Sequence, residues 1–418
     1  MDERGKYIIA MNFLKDRHVK NAILIGGLCS VSYLGVYVVR NIFGTVTPQL
    51  LGENGVTAAY IGEVSSLYFI AYAVGQLING IAGDKIKARY MISFGLMLAG
   101  VCNWVFPDVL HDASMAKIVY SLSGFFLSMI YAPMTKLVAE NTKPLYAVRC
   151  SMGYSFASML GSPSAGVLST FLAWEQVFKV GGVVISVMGV FCLVVFGHME
   201  KVSIIRYNQY DRPKQEKQKN GIKILIQHQI IKFTMISILT GVVRTTVIFW
   251  LPTYLAQYLG FSTSWSATIF SVVTLVTSTI TFISIFIYER LLKRNMNLTI
   301  LLAFSTASLS FLGVYAIASP IPNILLMVLG IMGSEIASSM LWSRYCPSLR
   351  DTGMTATATG FLDFVSYMAA AAASTLFANA VSSVGWGNLI LIWVGLMLVG
   401  VLVSVPIRKK VNRYNTVF

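Results

Sequence analysis

Apolar positions in this chain come in long unbroken runs, and most polar ones collect between them. The first run, from Asn21 to Thr47, is almost wholly apolar, yet it contains Tyr33, Tyr37 and Arg40 before it closes at Pro48. Runs of roughly 20 apolar residues are the length of a helix crossing a ~30 Å hydrocarbon core. They lack the period-two alternation of barrel strands. Twelve such helices are predicted, at about 21–47, 57–82, 89–107, 116–139, 146–172, 178–197, 229–257, 264–288, 297–317, 321–345, 352–380 and 384–406, each end good to a few residues. The fold class is therefore all-α integral membrane.

The seventh run repeats the peculiarity of the first. Arg244 precedes Pro252 by eight residues, as Arg40 precedes Pro48. A charge inside a membrane helix costs at least ~2.5 kcal/mol, so it is kept there for a purpose. Matched arginines about half a chain apart suggest two six-helix halves, 1–198 and 228–418, joined by a basic linker at 199–227. Eight helical residues span ~12 Å, which puts each arginine about 3 Å from the middle of a ~30 Å core. Ser30, Tyr33, Tyr37, Arg40 and Thr47 share one face of the first helix, and Ser237, Thr240 and Arg244 share one face of the seventh. A guanidinium forks onto phosphate or carboxylate oxygens with two parallel hydrogen bonds. The expected site is one anion shared between the halves. The competing expectation is a pair of structural charges, each bonded to Asp363, Glu335 or a backbone carbonyl.

Other polar positions inside the runs extend this picture. Ser65, Tyr68, Tyr72, Gln76 and Asn79 line one face of the second helix, either as a helix contact or as a pore-lining surface. Lys136 in the fourth helix is either a third basic group near the cavity or the partner of Glu140 one turn on, the latter being favoured. Arg149 opens the fifth helix, and Ser155, Ser158, Gly161 and Ser162 follow as small residues for close packing and a polar cavity wall. Glu335 in the tenth helix and Asp363 in the eleventh should face the interior.

Composition agrees with a membrane protein and removes other classes. Hydrophobic residues are 56% of the 418 and charged ones only 12%, where a soluble chain carries about 25% charged. The net charge of +15 invites a nucleic-acid reading, but its distribution argues otherwise. Of 32 Lys and Arg, only Lys117 and Lys179 fall in predicted outer loops and only Arg40, Lys136 and Arg244 within the membrane. That bias predicts a cytoplasmic (inner) membrane protein, multi-pass, with both termini cytoplasmic and the N-terminal segment retained. Five cysteines without a CxxC pair indicate neither a metal site nor a disulfide framework. His111, His198 and His228 fall in or beside loops, and no nucleotide-binding or hydrolase motif is present. No catalytic residue, metal or cofactor is expected, and no nucleic acid. The expected partners are a small anion and the lipid bilayer, with the protein a monomer.

The stretch Gly80-Ile-Ala-Gly-Asp84-Lys85-Ile-Lys87-Ala-Arg89 after the second helix resembles the signature loop of the major facilitator superfamily, with Lys87 where the family usually has glycine. The resemblance implies twelve transmembrane helices in two pseudo-symmetric six-helix bundles, the major facilitator fold. It gives Gly80, Asp84, Lys85 and Arg89 a part in conformational switching and none in substrate binding. Tyr33-x3-Tyr37-x2-Arg40, with Arg244-x5-Trp250-Leu-Pro252-Thr-Tyr254, is similar to the organophosphate/inorganic phosphate antiporters, which include glycerol-3-phosphate and hexose-phosphate transporters. In that family the two arginines bind the phosphoryl group and the first-helix tyrosines line the site. Asn41, Ser158 and Asp363 depart from patterns seen in that family. The resemblance implies a secondary transporter exchanging an organophosphate for inorganic phosphate by alternating access. Its candidate substrate-binding residues are Arg40, Arg244, Tyr33, Tyr37, Lys136, Tyr72, Ser158 and Asp363. The alternatives are a proton-coupled symporter of an organic anion such as a sugar acid, with Glu335 or Asp363 carrying the proton, and a non-transporting sensor of sugar phosphate.

Overall fold

The structure is a computed structural model that describes residues 17–83, 86–206, 221–349 and 355–405. The long helices of the first half are α1 (Arg17–Leu50), α2 (Ala58–Ala82), α3 (Ala88–Val109), α4 (Ala113–Asn141), α5 (Pro144–Phe171) and α6 (Trp174–Lys201). Those of the second half are α7 (Ile230–Ile248), α8 (Thr263–Phe286), α9 (Met296–Ala316), α10 (Pro320–Tyr345), α11 (Ala358–Val381) and α12 (Ser383–Ser404). Eleven helices are apolar enough over at least 18 described residues to cross a bilayer, and α5, outside that set, is a twelfth long helix of 28 residues. No strand occurs among the described residues.

Local chemistry starts these helices where the sequence supplies a cap. The Asp112 carboxylate accepts from the Ser114 and Met115 amides at the head of α4, and Ser262 and Asn295 cap α8 and α9 in the same manner. Pro144 and Pro320 occupy first-turn positions, where a missing N–H costs nothing. Two predicted continuous spans are interrupted. α4 turns at 128–130 between Ala113–Leu127 and Tyr131–Asn141. α7 ends in a π-helical turn, Arg244–Ile248, before a short helix, Leu251–Gln257, with Pro252 in its first turn. Conversely, α11 and α12, predicted as separate spans, run on from one another with a kink at Gly385, φ 75°.

Small residues set the packing within each half, as expected where lipid supplies no hydrophobic drive between helices. Gly100 of α3 and Gly182 of α6 face each other so closely that a methyl group at Gly182 would lie 2.6 Å from the Gly100 carbonyl oxygen. Gly161 of α5 lets α1 approach at Tyr37, and Gly241 brings α7 onto the Ser366 backbone of α11. Leu309, Leu402 and Val187 stay exposed on the outer faces, the positions lipid would cover.

The halves meet along α2 with α11, α5 with α8, and α1 with the end of α7. Described hydrogen bonds across this seam run from mid-helix to the end away from Arg17. Ser278 donates to the Met159 carbonyl at 3.0 Å, Thr170 and Thr268 pair at 3.2 Å, and Ser65 and Ser374 pair closely. Gly44 and Gly62 admit Phe249 and Ala378 at the same level. At the Arg17 end the described ion pairs lie within a half. Arg89 reaches Glu200 at 3.1 Å, and Arg344 reaches Glu289 at 2.7 Å. Of the signature loop, Gly80 lies in the last turn of α2 and Arg89 ties α3 to α6, while Asp84 and Lys85 lie outside the described residues.

Candidate functional site

A cavity of about 1250 Å³ lies between the halves. It extends from the level of Arg40 and Arg244 to the Arg17 end, where Gly83, Lys136, Ser343 and Thr359 line it. Arg40 and Arg244 stand in its deep part, one from each half. Nη1 of Arg40 donates to the Tyr367 hydroxyl at 2.8 Å. The same guanidinium lies 4.9 Å from the Tyr367 ring centre, 5.0 Å from that of Tyr72 and 5.4 Å from that of Tyr37. The Arg244 guanidinium lies 5.5 Å from the centre of the same Tyr367 ring. Aromatic faces hold cations in place without neutralising them.

Arg244 heads the π turn of α7, which explains its placement. A π turn leaves carbonyls without the usual partner, and hydroxyl side chains can take them up. Thr245 donates to the Gly241 carbonyl and Thr246 to that of Val242, both at 2.9 Å. The extra residue changes which side chains follow Arg244 into the cavity. Thr245, Ile248 and Phe249 line it, whereas Ser237 and Thr240, expected beside Arg244, bond to the carbonyls of Leu362 and Ile236. On α1 the expected face is likewise trimmed. Tyr33, Tyr37, Arg40 and Asn41 line the cavity, while Ser30 bonds back to Gly26 and Thr47 to Phe43.

The structure brings together Arg40, Arg244, Tyr33, Tyr37, Tyr72, Ser158, Lys136, Glu335 and Asp363, all on one cavity wall or another. The favoured Lys136–Glu140 pair is not among the described contacts. Nζ of Lys136 donates instead to the Gly83 carbonyl of α2 at 3.0 Å, and Oε2 of Glu140 is buried without a partner. The polar face of α2 divides three ways. Ser65 meets α11, Tyr72 and Gln76 line the cavity, and Asn79 donates to Ser128 of α4.

Neither arginine has a carboxylate within 4.0 Å among the described ion pairs. The expectation that each is a structural charge bonded to Asp363, Glu335 or a carbonyl is not met by the described contacts. Arg244 nevertheless acts electrostatically on both carboxylates, and Arg40 acts on Asp363. Sequence reasoning missed Tyr367, which both guanidiniums share. Its signal was the four-residue step from Asp363, one turn along the same face of α11.

A helical membrane protein with two packed halves and a charged cavity between them has the architecture of a secondary transporter. The Major Facilitator Superfamily profile matches residues 29–374, and the chain belongs to that superfamily. It is a multi-pass membrane protein of the transporter fold. Among its relatives is the glycerol-3-phosphate transporter of Bacillus subtilis (strain 168), 26% identical over 256 residues, which are 56% of this chain and 57% of that protein. A probable hexose phosphate transport protein of Chlamydia trachomatis is 20% identical over 38% of this chain and 36% of its own length. The membrane sensor protein UhpC of Escherichia coli (strain K12) is 28% identical over 26% of this chain and 24% of its own length. The chain thus spans about half the length, or less, of the curated relatives it matches. In solved structures the fold resembles a D-xylose–proton symporter (TM-score 0.70, 12% identity, 93% of this chain and 97% of that one). It also resembles a bacterial homologue of the human lysosomal transporter Spinster in an inward-facing, unoccupied conformation (TM-score 0.73, 12% identity, 92% and 96%).

Proposed function

We propose that this transporter carries an organic phosphate, of the sugar phosphate or glycerol phosphate class, in exchange for inorganic phosphate by alternating access. The observation that carries the reading is the convergence of Arg40 and Arg244, from corresponding places in the two halves, on the single ring of Tyr367. Two forked cations on one cavity suit a tetrahedral oxyanion. The names of the relatives, glycerol-3-phosphate and hexose phosphate transporters, support the phosphoryl group. In this reading Arg40 and Arg244 hold the phosphoryl oxygens and Tyr33, Tyr37 and Tyr72 wall them. Ser158, Lys136 and Asp363 contact the rest of the substrate. The protein acts as a monomer in the cytoplasmic membrane, its Arg17 end facing the cytoplasm, so that the cavity opens inward.

Exchange follows from the charge of the empty site. Closing the cavity on two arginines desolvates them, and a bound phosphoryl group supplies the countercharge. The loaded carrier therefore reorients faster than the empty one. A second reading, proton-coupled symport, is favoured by the presence of Asp363 and Glu335 on the same cavity. Phosphate uptake into proteoliposomes at clamped pH separates the two. Exchange requires internal phosphate, whereas strong uptake into phosphate-free vesicles that a protonophore abolishes would establish symport instead.

A further inference from the structure

Phe249 closes the cavity just beyond the two arginines. A methyl group at Gly44, one turn on from Arg40, would lie 3.0 Å from the Phe249 ring, so the organic part of a phosphate held by Arg40 and Arg244 extends toward the Arg17 end. Along that path α10 presents Glu335, Ser338 and Trp342, spaced three and four residues apart on one helical face. Trp342 belongs to the π turn that ends α10, Leu341–Tyr345, and its neighbours there are engaged elsewhere. Leu341 is buried, Ser343 donates to the Ser339 carbonyl, Arg344 pairs with Glu289 at 2.7 Å, and Tyr345 stacks on Phe233 with ring centres 3.5 Å apart. The half-buried Trp342 indole rests part of its surface on the core and turns the rest to the cavity, with no described hydrogen bond or ring partner.

The Phe233–Tyr345 stack fixes the level of α7 against α10. Arg244 lies eleven residues beyond Phe233 and Trp342 three before Tyr345, which sets their Cα atoms about 12 Å apart along the bundle axis. Helical side chains lean toward the N-terminus of their own helix. α7 starts at the Arg17 end and α10 at the opposite one, so the guanidinium and the indole lean toward each other across a gap the length of a single sugar ring. We propose that Trp342 is the platform for the organic part of the substrate, and that this part is a sugar ring rather than glycerol. The C–H face of the ring meets the negative face of the indole, while Glu335 and Ser338 take hydroxyls at its edge. Glycerol phosphate, held by the same arginines, falls short of the indole, and inorganic phosphate does not approach it. The inference rests on the phosphoryl reading of the cavity given above. One arginine subsite thereby serves both exchanged species, and the platform tells the organic ones apart.

The test is competition against radiolabelled inorganic phosphate on the purified full chain, with glucose 6-phosphate, glycerol 3-phosphate and unlabelled inorganic phosphate. Glucose 6-phosphate is expected to compete at least about tenfold better than glycerol 3-phosphate, from the apolar face of one sugar ring laid on the indole. Trp342→Ala is expected to bring glucose 6-phosphate level with glycerol 3-phosphate, a change confined to the ring-bearing competitor. Trp342→Phe, still flat, is expected to keep more of the preference than Trp342→Leu, which is apolar but not flat. Phosphate binding with no preference for the ring, or with a preference that survives Trp342→Ala, overturns the inference and leaves the phosphoryl reading standing. Equal weakening of all three competitors in Trp342→Ala also overturns it, because a platform acts on the ring alone. Failure of the unmodified chain to bind phosphate at all overturns the phosphoryl reading and the inference with it.

Discussion

Arg40 and Tyr367, 327 positions apart, are joined by a 2.8 Å hydrogen bond from the first half of the chain to the second. The tyrosine oxygen accepts from the guanidinium, which leaves its own O–H free to donate to an anion held beside it. Tyr367→Phe keeps the ring under both arginines and removes only that donor. A hydrogen bond to a charged group is worth about 1.5–3 kcal/mol, so phosphate affinity should fall roughly 10- to 150-fold. Equilibrium binding of labelled phosphate measures it, and unchanged affinity would place the hydroxyl outside the site.

The arginines themselves should be harder to replace. Arg40→Ala or Arg244→Ala is expected to cost ~2–5 kcal/mol, or about 30- to 5,000-fold in phosphate affinity, with the protein still inserted. Lysine should restore little of this, because an ammonium lacks the two-pronged geometry. Near-normal binding by either alanine variant would remove that arginine from the site.

Closure at the end away from Arg17 depends on glycine. A methyl group at Gly62 would meet the Ala378 side chain and lie 2.9 Å from the Ser374 carbonyl oxygen. Gly62→Val should therefore wedge α2 from α11 at a cost of about 1–3 kcal/mol to the closed seam. The population then shifts roughly 5- to 150-fold toward the opposite opening. A cysteine at Ser343, on the cavity wall at the Arg17 end, should become correspondingly slower to label. Unaltered labelling would show that the seam tolerates the branch.

Two ion pairs of different burial should behave differently. The side chains of Arg89 and Glu200 are 20% and 16% exposed, and those of Lys117 and Glu63 are 30% and 49% exposed. Glu200→Gln leaves a partly buried cation with a weaker acceptor and should cost about 1–3 kcal/mol, while Glu63→Gln should change stability by under ~1 kcal/mol. Thermal unfolding in detergent ranks the two. The reverse order would contradict the packing assigned to α3 and α6.

Orientation is testable with two exposed positions. Cysteine at Asn54, in the loop after α1, should react with an impermeant reagent from outside the cell, and cysteine at Ser203, beyond α6, only from the cytoplasmic side. Outside labelling at Ser203 would invert the topology.

The fold was legible in the sequence because each membrane helix satisfies its own backbone hydrogen bonds, so spans show as uninterrupted apolar length. Arg40 and Arg244 were legible for a related reason: a charge in such a span stands out, and the repeated step to Pro48 and Pro252 links the two. What the sequence could not supply was the partner of each polar group. Lys136 had Glu140 one turn away and donates to Gly83 across a helix gap, while Tyr367 meets Arg40 of α1 and Arg244 of α7, two helices far from it in sequence. Ser237 and Thr240 spend their hydroxyls on the carbonyls of Leu362 and Ile236, and Thr245 and Ile248 of the π turn line the cavity. Apolar length and buried charge are properties of one segment and can be read from it. Partner choice is a competition between acceptors on different helices, decided by which backbones small residues allow to approach.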